Sequence, residues 1–412
     1  MDAKTVGIII ATMRKKCGLT QSELAEKLNV SNKAVSRWES GLGFPEVTQF
    51  PILANIFGVT VDTLMTGKRN GITIAGNILT DIVKTVDSYP EKGMLSNITD
   101  VSRAVGGCVP NTSINLAKID RSIPLSVIGK IGDDEYGRYV LSQLSRYGID
   151  SEKISVSANK PTSFSDVMSL PSGERTFFHA RGANTEFMID DIDISSLNCL
   201  IFHIGYILLL DAFDAPDDEY GTKMARLLHN IQNVGIKTSI DVVSDTTADY
   251  KSKIIPALKY TDYAIINEVE SSMLSDLPPY IDGKLNIDNV KKTMQIMASF
   301  GVREKVIIHS KEVGLCLDVP TGEFTIVPSL DIPPSVIKGS VGAGDAYCAA
   351  CLYSIYNNYD DKKTLEFASA AAACNLFADN SIDGMLDKNG IKKIEQKYRR
   401  KTIWLEAIII NK

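Results

Sequence analysis

Between residues 1 and 66 apolar positions recur every three or four residues. Val6, Ile9, Ile10 and Met13 mark a first short helix. In "LTQSELAEKL" Thr20 stands three residues before Glu23, the spacing of a capping box, and Leu24 and Leu28 share one face. In "VSNKAVSRWES" Ser31 is placed to cap a third helix, with Val35 and Trp38 turned inward. "VTQFPILANIFG" and "TVDTLMTG" complete an all-helical unit over 1–66, and "TGKRNG" supplies a linker at 67–71.

From Ile72 the texture changes. Apolar runs such as "ITIAG", "LSVIGKIG", "CLIFHIGY", "TSIDVV", "YAIINE" and "KVIIHS" read as buried strands. Helical patterns separate many of them, among them "NTSINLAKID", "YGRYVLSQLSRYG" and "NVKKTMQIMASFG". Alternation of this kind predicts an α/β body, with an open, mostly parallel sheet covered by helices on both faces. Residues 81–105 and 156–181 break the pattern. They are polar and strand-like, and "TSFSDVMSLPSGERTFFHA" alternates about a Pro-Ser-Gly turn as a hairpin does, so they are expected to form a small β lid. The body is bounded at 72–392, leaving 393–412 as a basic, then apolar tail without an assigned role.

Composition adds little to this picture, but charge adds something. The chain has 412 residues and a net charge of −6, which excludes a protein that coats nucleic acid with its whole surface. Residues 1–66 carry seven Lys and Arg against six Asp and Glu, so a slightly basic head sits on an acidic body, compatible with DNA contact through the head. Seven dispersed cysteines read as reduced, in a cytoplasmic protein. Cys348 and Cys351 form a C-x-x-C inside a helical pattern and are expected to be small buried residues. The longest apolar stretch, 199–210, is shorter than the ~20 residues of a membrane span and contains His203, so no membrane contact is expected.

Chemistry concentrates in four stretches. "GSVGAGDAY" (339–347) places glycines before an aspartate at a helix start. Amides at such a turn make an anion nest. Asp345 beside it can take a proton from an attacking hydroxyl, and base plus anion hole is the minimum for phosphoryl transfer to an alcohol. "AVGGCVPNTSINLA" (104–117) sets Gly-Gly before a helix carrying Asn111. "AGNILTDIVKTV" (75–86) presents Asp81, and "IINEVE" (265–270) ends a strand with Asn267 and Glu270, where a carboxylate can organise Mg2+. No G-x-x-x-x-G-K-[ST] motif is present, which excludes a P-loop kinase, and no H-R-D or D-F-G set points to a protein kinase.

"LTQSELAEKLNVSNKAVSRWESG" resembles the helix-turn-helix of the Cro/phage-repressor (XRE) family. Gln21 starts one helix where it can meet a phosphate. Asn32, Lys33 and Ser36 lie on the face a recognition helix offers the major groove, and Arg37 suits a backbone phosphate. With one reading head per chain, a homodimer on a two-fold DNA site is expected. The four motifs of the body, in their order, resemble the ribokinase-like PfkB carbohydrate kinases. That resemblance implies a ribokinase-like fold and ATP-dependent phosphorylation of a sugar or small polyol. It makes Asp345 the catalytic base, Gly342, Ala343 and Gly344 the anion hole, and Asp81, Gly107 and Asn111 the sugar-hydroxyl ligands. Asn267 and Glu270 become the ATP-phosphate and Mg2+ residues, with Glu270 toward the metal.

The sequence departs from the family in three places. Gly339 and Ser340 stand where the family often has Asp-Thr, so a monovalent-cation site stays open. Cys108 replaces the lysine that ribokinases carry after Gly-Gly. Only Gly314 of "HSKEVG" matches the T-x-G-x-x-G at the nucleotide rim. A sugar-sensing regulator with an inactive kinase-like body and a nucleoside kinase are the alternative readings. Arg175, His179, Arg181 and Asn184 on the lid are further candidates for substrate contact. Asp241 stands either near the phosphates or as a cap, and His203 is expected to be a satisfied core histidine. Asp214, Asp217, Asp218 and Glu219 are expected to form a solvated acidic run.

Overall fold

The computed structural model describes residues 2–59, 61–67, 69–170, 174–243 and 249–402, without the side chains of residues 16 and 62. Two compact units emerge. The first holds helices Ala3–Lys16, Gln21–Lys27, Asn32–Glu39, Gln49–Phe57 and Val61–Thr66 around a core of Ile10, Leu24, Val35, Trp38, Leu53 and Leu64. The expected caps form. Thr20 and Glu23 close a capping box, and the Ser31 side chain accepts from the Ala34 amide. This unit also takes in residues 192–200, which the sequence reading assigned to the body. Asn198 Nδ2 donates to Thr63 Oγ1 at 2.9 Å, Asn198 O accepts from the Asn70 amide, and the Leu200 amide donates to Gly71 O. The stretch expected to be a free linker is therefore hydrogen-bonded to a distant piece of chain.

The second unit is built on a nine-stranded sheet. From one edge its strands run Glu323–Pro328, Val313–Asp318, Lys305–His309, Tyr263–Asn267, Lys237–Val242, Ile201–Ile207, Ile72–Gly76, Leu125–Gly132 and Asp150–Ser157. The pairings among the strands at 201–207, 237–242, 263–267 and 305–309 are parallel, and the two at the 323–328 edge are antiparallel. Strands buried on both faces read as continuous apolar runs, which is why "AIIN" and "VIIH" were legible. The expected lid is a separate four-stranded sheet in the order Ile98–Gly106, Leu79–Val86, Ser163–Ser169, Arg175–Ala180. Its bounds need one correction: residues 156 and 157 belong to the edge strand Asp150–Ser157 of the main sheet. The Pro-Ser-Gly turn at 171–173 lies outside the described residues.

The C-terminal boundary also needs correcting. Residue 392 falls inside helix Lys388–Lys397, which packs on helix Asp361–Asn375. Beyond it the Asp331 amide donates to Arg399 O and the Lys401 amide to Ser329 O, so the chain through residue 402 belongs to the body. The rest of the expected tail, 403–412, lies outside the described residues. Among the described residues no helix is long and apolar enough to cross a membrane.

Candidate active site

Helix Ala343–Tyr356 begins at Gly342, whose φ of 77° is left-handed. A Cβ there would also lie 2.3 Å from Ser381 Cβ, so only glycine fits the turn. Asp345, in the first turn, is buried and makes two hydrogen bonds through its carboxylate. Tyr206 Oη donates to Oδ1 at 2.5 Å and Asn111 Nδ2 to Oδ2 at 3.0 Å. Burial raises its pKa to about 6, against the two hydrogen bonds, which favour the charged form. A carboxyl poised near neutrality, inside a helix N-terminus, is suited to accept a proton.

The anion nest differs in one detail from expectation. The Ala343 amide donates to Ser340 O at 3.2 Å, closing the turn. The amides of Gly344 and Asp345, at the second and third helical positions, have no carbonyl four residues back inside the helix. Those two groups carry the anion-binding capacity of the turn.

Asn111 differs more. It lies on helix Cys108–Ile119, which starts at Gly107 with φ 87°. Its amide donates to the carboxylate of Asp345, and its Oδ1 accepts from Ser381 Oγ at 2.7 Å. Expected as a sugar ligand, Asn111 here fixes the orientation of Asp345. The Ser381 loop is anchored in turn, because Asn115 Nδ2 donates to Ser381 O and Lys118 Nζ to Ile382 O. Tyr206 and Ser381 were missed by the sequence reading. Tyr206 sits at the C-terminal end of an apolar strand, where open parallel sheets bind ligands, and that position was a usable signal. Ser381 is one of several polar residues in a loop and gave none.

Asp81 lies within lid strand Leu79–Val86 rather than at a strand end. Burial pushes its pKa up to about 7, Ser165 opposes by hydrogen bonding, and then the charge of Asp345 raises it while Arg175 lowers it. Asp81 therefore stands within electrostatic reach of both. Of the four lid candidates, Arg175 lines the same small cleft as Asp81 and Ser381. Asn184 is buried and bonds both Ile78 N and Ile78 O, Arg181 bonds Asp211 and Leu208 O, and His179 meets Ser165 Oγ.

Asn267 and Glu270 form a capping box on helix Glu268–Ser275: Asn267 Oδ1 accepts from the amides of Val269 and Glu270, and Glu270 Oε2 from the Asn267 amide. Local capping thus explains part of the motif. Burial does not, because Glu270 and Asp241 are both buried carboxyls. The Asp241 pKa is driven well above its usual range, first by burial, then by the charges of Glu270 and Asp345. Buried carboxyls that repel one another are costly unless a cation joins them. This set of hard oxygen donors fits Mg2+. Gly314 differs from expectation. It is buried within strand Val313–Asp318, where a Cβ would lie 2.2 Å from Tyr347 Oη, so close packing explains the glycine without a nucleotide.

His203 is buried and bonded as a core histidine, with Nδ1 3.0 Å from Ser239 Oγ and Nε2 3.8 Å from Cys348 Sγ. Burial lowers its pKa to about 3. Cys348 and Cys351 are buried in helix Ala343–Tyr356, as expected. Asp214 is a correction to the solvated acidic run. It is buried, and burial raises its pKa to about 6.

In the head Asn32, Lys33 and Arg37 are exposed on helix Asn32–Glu39, with Ser36 half-buried and Trp38 in the core. Arg37 Nη2 donates to Leu42 O. The Gln21 amide donates to Glu39 Oε2 at 2.7 Å, and Glu39 also pairs with Arg14. Gln21 is thus tied into the head's own network through its side-chain nitrogen.

A carboxyl at a glycine-started helix N-terminus, a lid, and buried acidic residues at a strand end and a helix start fit a phosphotransferase of the ribokinase fold. The profile of the pfkB family carbohydrate kinases matches residues 70–388, and the chain belongs to that family. A helix-turn-helix profile matches residues 10–64. A 5-dehydro-2-deoxygluconokinase of Clostridium perfringens is 25% identical over 314 residues, covering 74% of this chain and 88% of that protein. A ribokinase of Schizosaccharomyces pombe is 23% identical over 330 residues, covering 77% and 96%. Among solved structures, Arabidopsis thaliana ribokinase complexed with ribose and ATP superposes with a TM-score of 0.65 at 20% identity, covering 80% of this chain and 99% of that one, which shows the shared fold.

The geometry sets a pH dependence. A base at Asp345 would have to be ionised to act, so kcat/KM is expected to rise with pH through about 6. Removing the Tyr206 hydroxyl deletes a bond that favours the carboxylate, so Tyr206→Phe should move that limb to higher pH with its plateau largely kept. An unmoved limb would show that Tyr206 does not tune the base.

Proposed function

We propose that this protein transfers the γ-phosphoryl group of ATP to a hydroxyl of a sugar or related small polyol, on a chain whose head binds DNA. Family membership and the setting of Asp345 support the first part. Asp81 and the glycine turn at Gly107 hold substrate hydroxyls, and the lid closes over them to exclude water. Asn111 and Tyr206 aim the Asp345 carboxylate, which takes the proton of the acceptor hydroxyl. The acceptor oxygen forms a bond to the γ-phosphorus while the bond to the ADP oxygen breaks. The amides of Gly344 and Asp345, with Gly342 and Ala343 shaping the turn, face the phosphoryl charge as it develops. Glu270 and Asp241 would hold Mg2+, which when bound supplies positive charge to the phosphate oxygens. Asn267 keeps Glu270 in place through the capping box.

For the head, the support is the helix-turn-helix match and the exposed row Asn32, Lys33 and Arg37. Ser36 completes the reading face, and Gln21 offers its helix N-terminus to a phosphate while its side chain holds Glu39. A homodimer on a two-fold site gives such a head enough phosphate contacts to bind.

A second reading is that the body only senses its ligand. The engagement of the Ala343 amide by Ser340 favours it, because that leaves the nest one donor short.

Two measurements test these readings. Coupled ADP release over neutral sugars, sugar acids and nucleosides should show turnover on one class. Asp345→Asn should lower kcat by at least about 10²-fold while substrate still binds. Near-normal turnover in that variant would remove Asp345 as base, and ligand binding with no turnover in the wild type would favour the sensor. In gel shifts against genomic fragments, Lys33→Ala should weaken binding and reduce the salt dependence by about one phosphate contact. No preferred site at low salt would sink the DNA-binding role.

A further inference from the structure

A small cleft beneath the lid has Asp81, Val167, Arg175, Val341 and Ser381 among its walls. Ser381, a wall of the cleft, is tied through Asn111 to Asp345 by two hydrogen bonds. Asp81 and Arg175 line the cleft together, and Asp81 also lies within electrostatic reach of Asp345.

Arg175 differs from the other lid cations. Lys84 pairs with Asp166 and Arg103 with Glu135. Among the described residues Arg175 has no carboxylate partner. Its recorded hydrogen bond runs from Nη2 to the main-chain oxygen of Asp379, at 3.0 Å. A guanidinium has several N–H donors in a planar fork, and most of this one's remain available beside a cleft. Planar carboxylates match that fork with paired hydrogen bonds.

Resting on the kinase reading above, we propose that Arg175 is a specificity residue and that the substrate is a sugar acid. Its carboxylate meets Arg175, its middle hydroxyls meet Asp81, and the hydroxyl to be phosphorylated lies at the far end, against Asp345. Burial raises the Asp81 pKa to about 7, so its carboxyl carries only part of a charge at neutral pH and repels such a ligand less than an exposed aspartate would.

The test compares sugar acids with neutral sugars of the same chain length and with sugar phosphates. Binding is measured by calorimetry on the full chain with a non-hydrolysable ATP analogue, and ADP release is followed separately. A sugar acid should bind best. Arg175→Met should weaken its binding by about 10- to 100-fold, Arg175→Lys should restore part of the loss, and binding of neutral sugars should change little. In turnover the loss should fall mainly on KM. Equal losses on acids and neutral sugars would make Arg175 a lid latch on Asp379 and overturn the proposal, as would preference for a neutral sugar or a sugar phosphate. Arg175-dependent binding of an acid without ADP release would uphold the ligand class and overturn the kinase reading instead.

Discussion

The body is organised around a buried carboxyl group whose hydrogen-bond partners among the described residues are both neutral. Asp345 is held under the lid by a phenol and an amide, neither of which carries charge. Hydrogen bonds to the ionised form and the positive end of a helix are what make the charge tolerable, and burial still keeps the proton affinity high. A charged partner would have removed that balance. An arginine beside Asp345 would hold it ionised and weakly basic, whereas a fully apolar pocket would hold it protonated. The two neutral donors leave it able to change state near physiological pH.

The surrounding architecture follows from keeping those donors in place. Asn111 reaches Asp345 only because helix Cys108–Ile119 packs against helix Ala343–Tyr356 and because Ser381 fills its other side. The close approach of Gly342 to Ser381 brings the same loop to the start of helix Ala343–Tyr356. Tyr206 arrives from the end of a central strand. Deeper in the sheet, Asp241 and Glu270 add negative charge that raises the proton affinity of their neighbours until a cation is bound. A cation held by Asp241 and Glu270 would supply positive charge that offsets their repulsion.

Much of this was legible in the sequence where the physics is local. The strands at 263–267 and 305–309 announce themselves as buried apolar runs, and the Thr20–Glu23 and Ser31 caps follow from spacing alone. The glycine turn before Asp345 was readable because few other residues accept that backbone. Convergence from distant segments was not readable. Nothing near Asn111 tells that its amide will face a residue 234 positions later. Gly314 was ambiguous for a related reason: a glycine can be required by a neighbouring tyrosine as easily as by a nucleotide, and sequence does not distinguish them. The capture of 192–200 by the head depends on long-range hydrogen bonds to Thr63, Asn70 and Gly71, which have no sequence signature.

The chemistry assigned to this chain depends on Asp345 being protonatable near neutrality while buried. Difference infrared spectroscopy of the carboxyl C=O stretch, titrated on the full chain and on Asp345→Asn, observes that proton directly. The account predicts a buried carboxyl component that titrates near pH 6 in the wild type and is lost from the variant, above the Asp214 component common to both. A wild-type titration with no difference from the variant between pH 5 and 7 would mean that Asp345 does not change protonation state in this range. The balance of neutral donors and burial described here would then be contradicted.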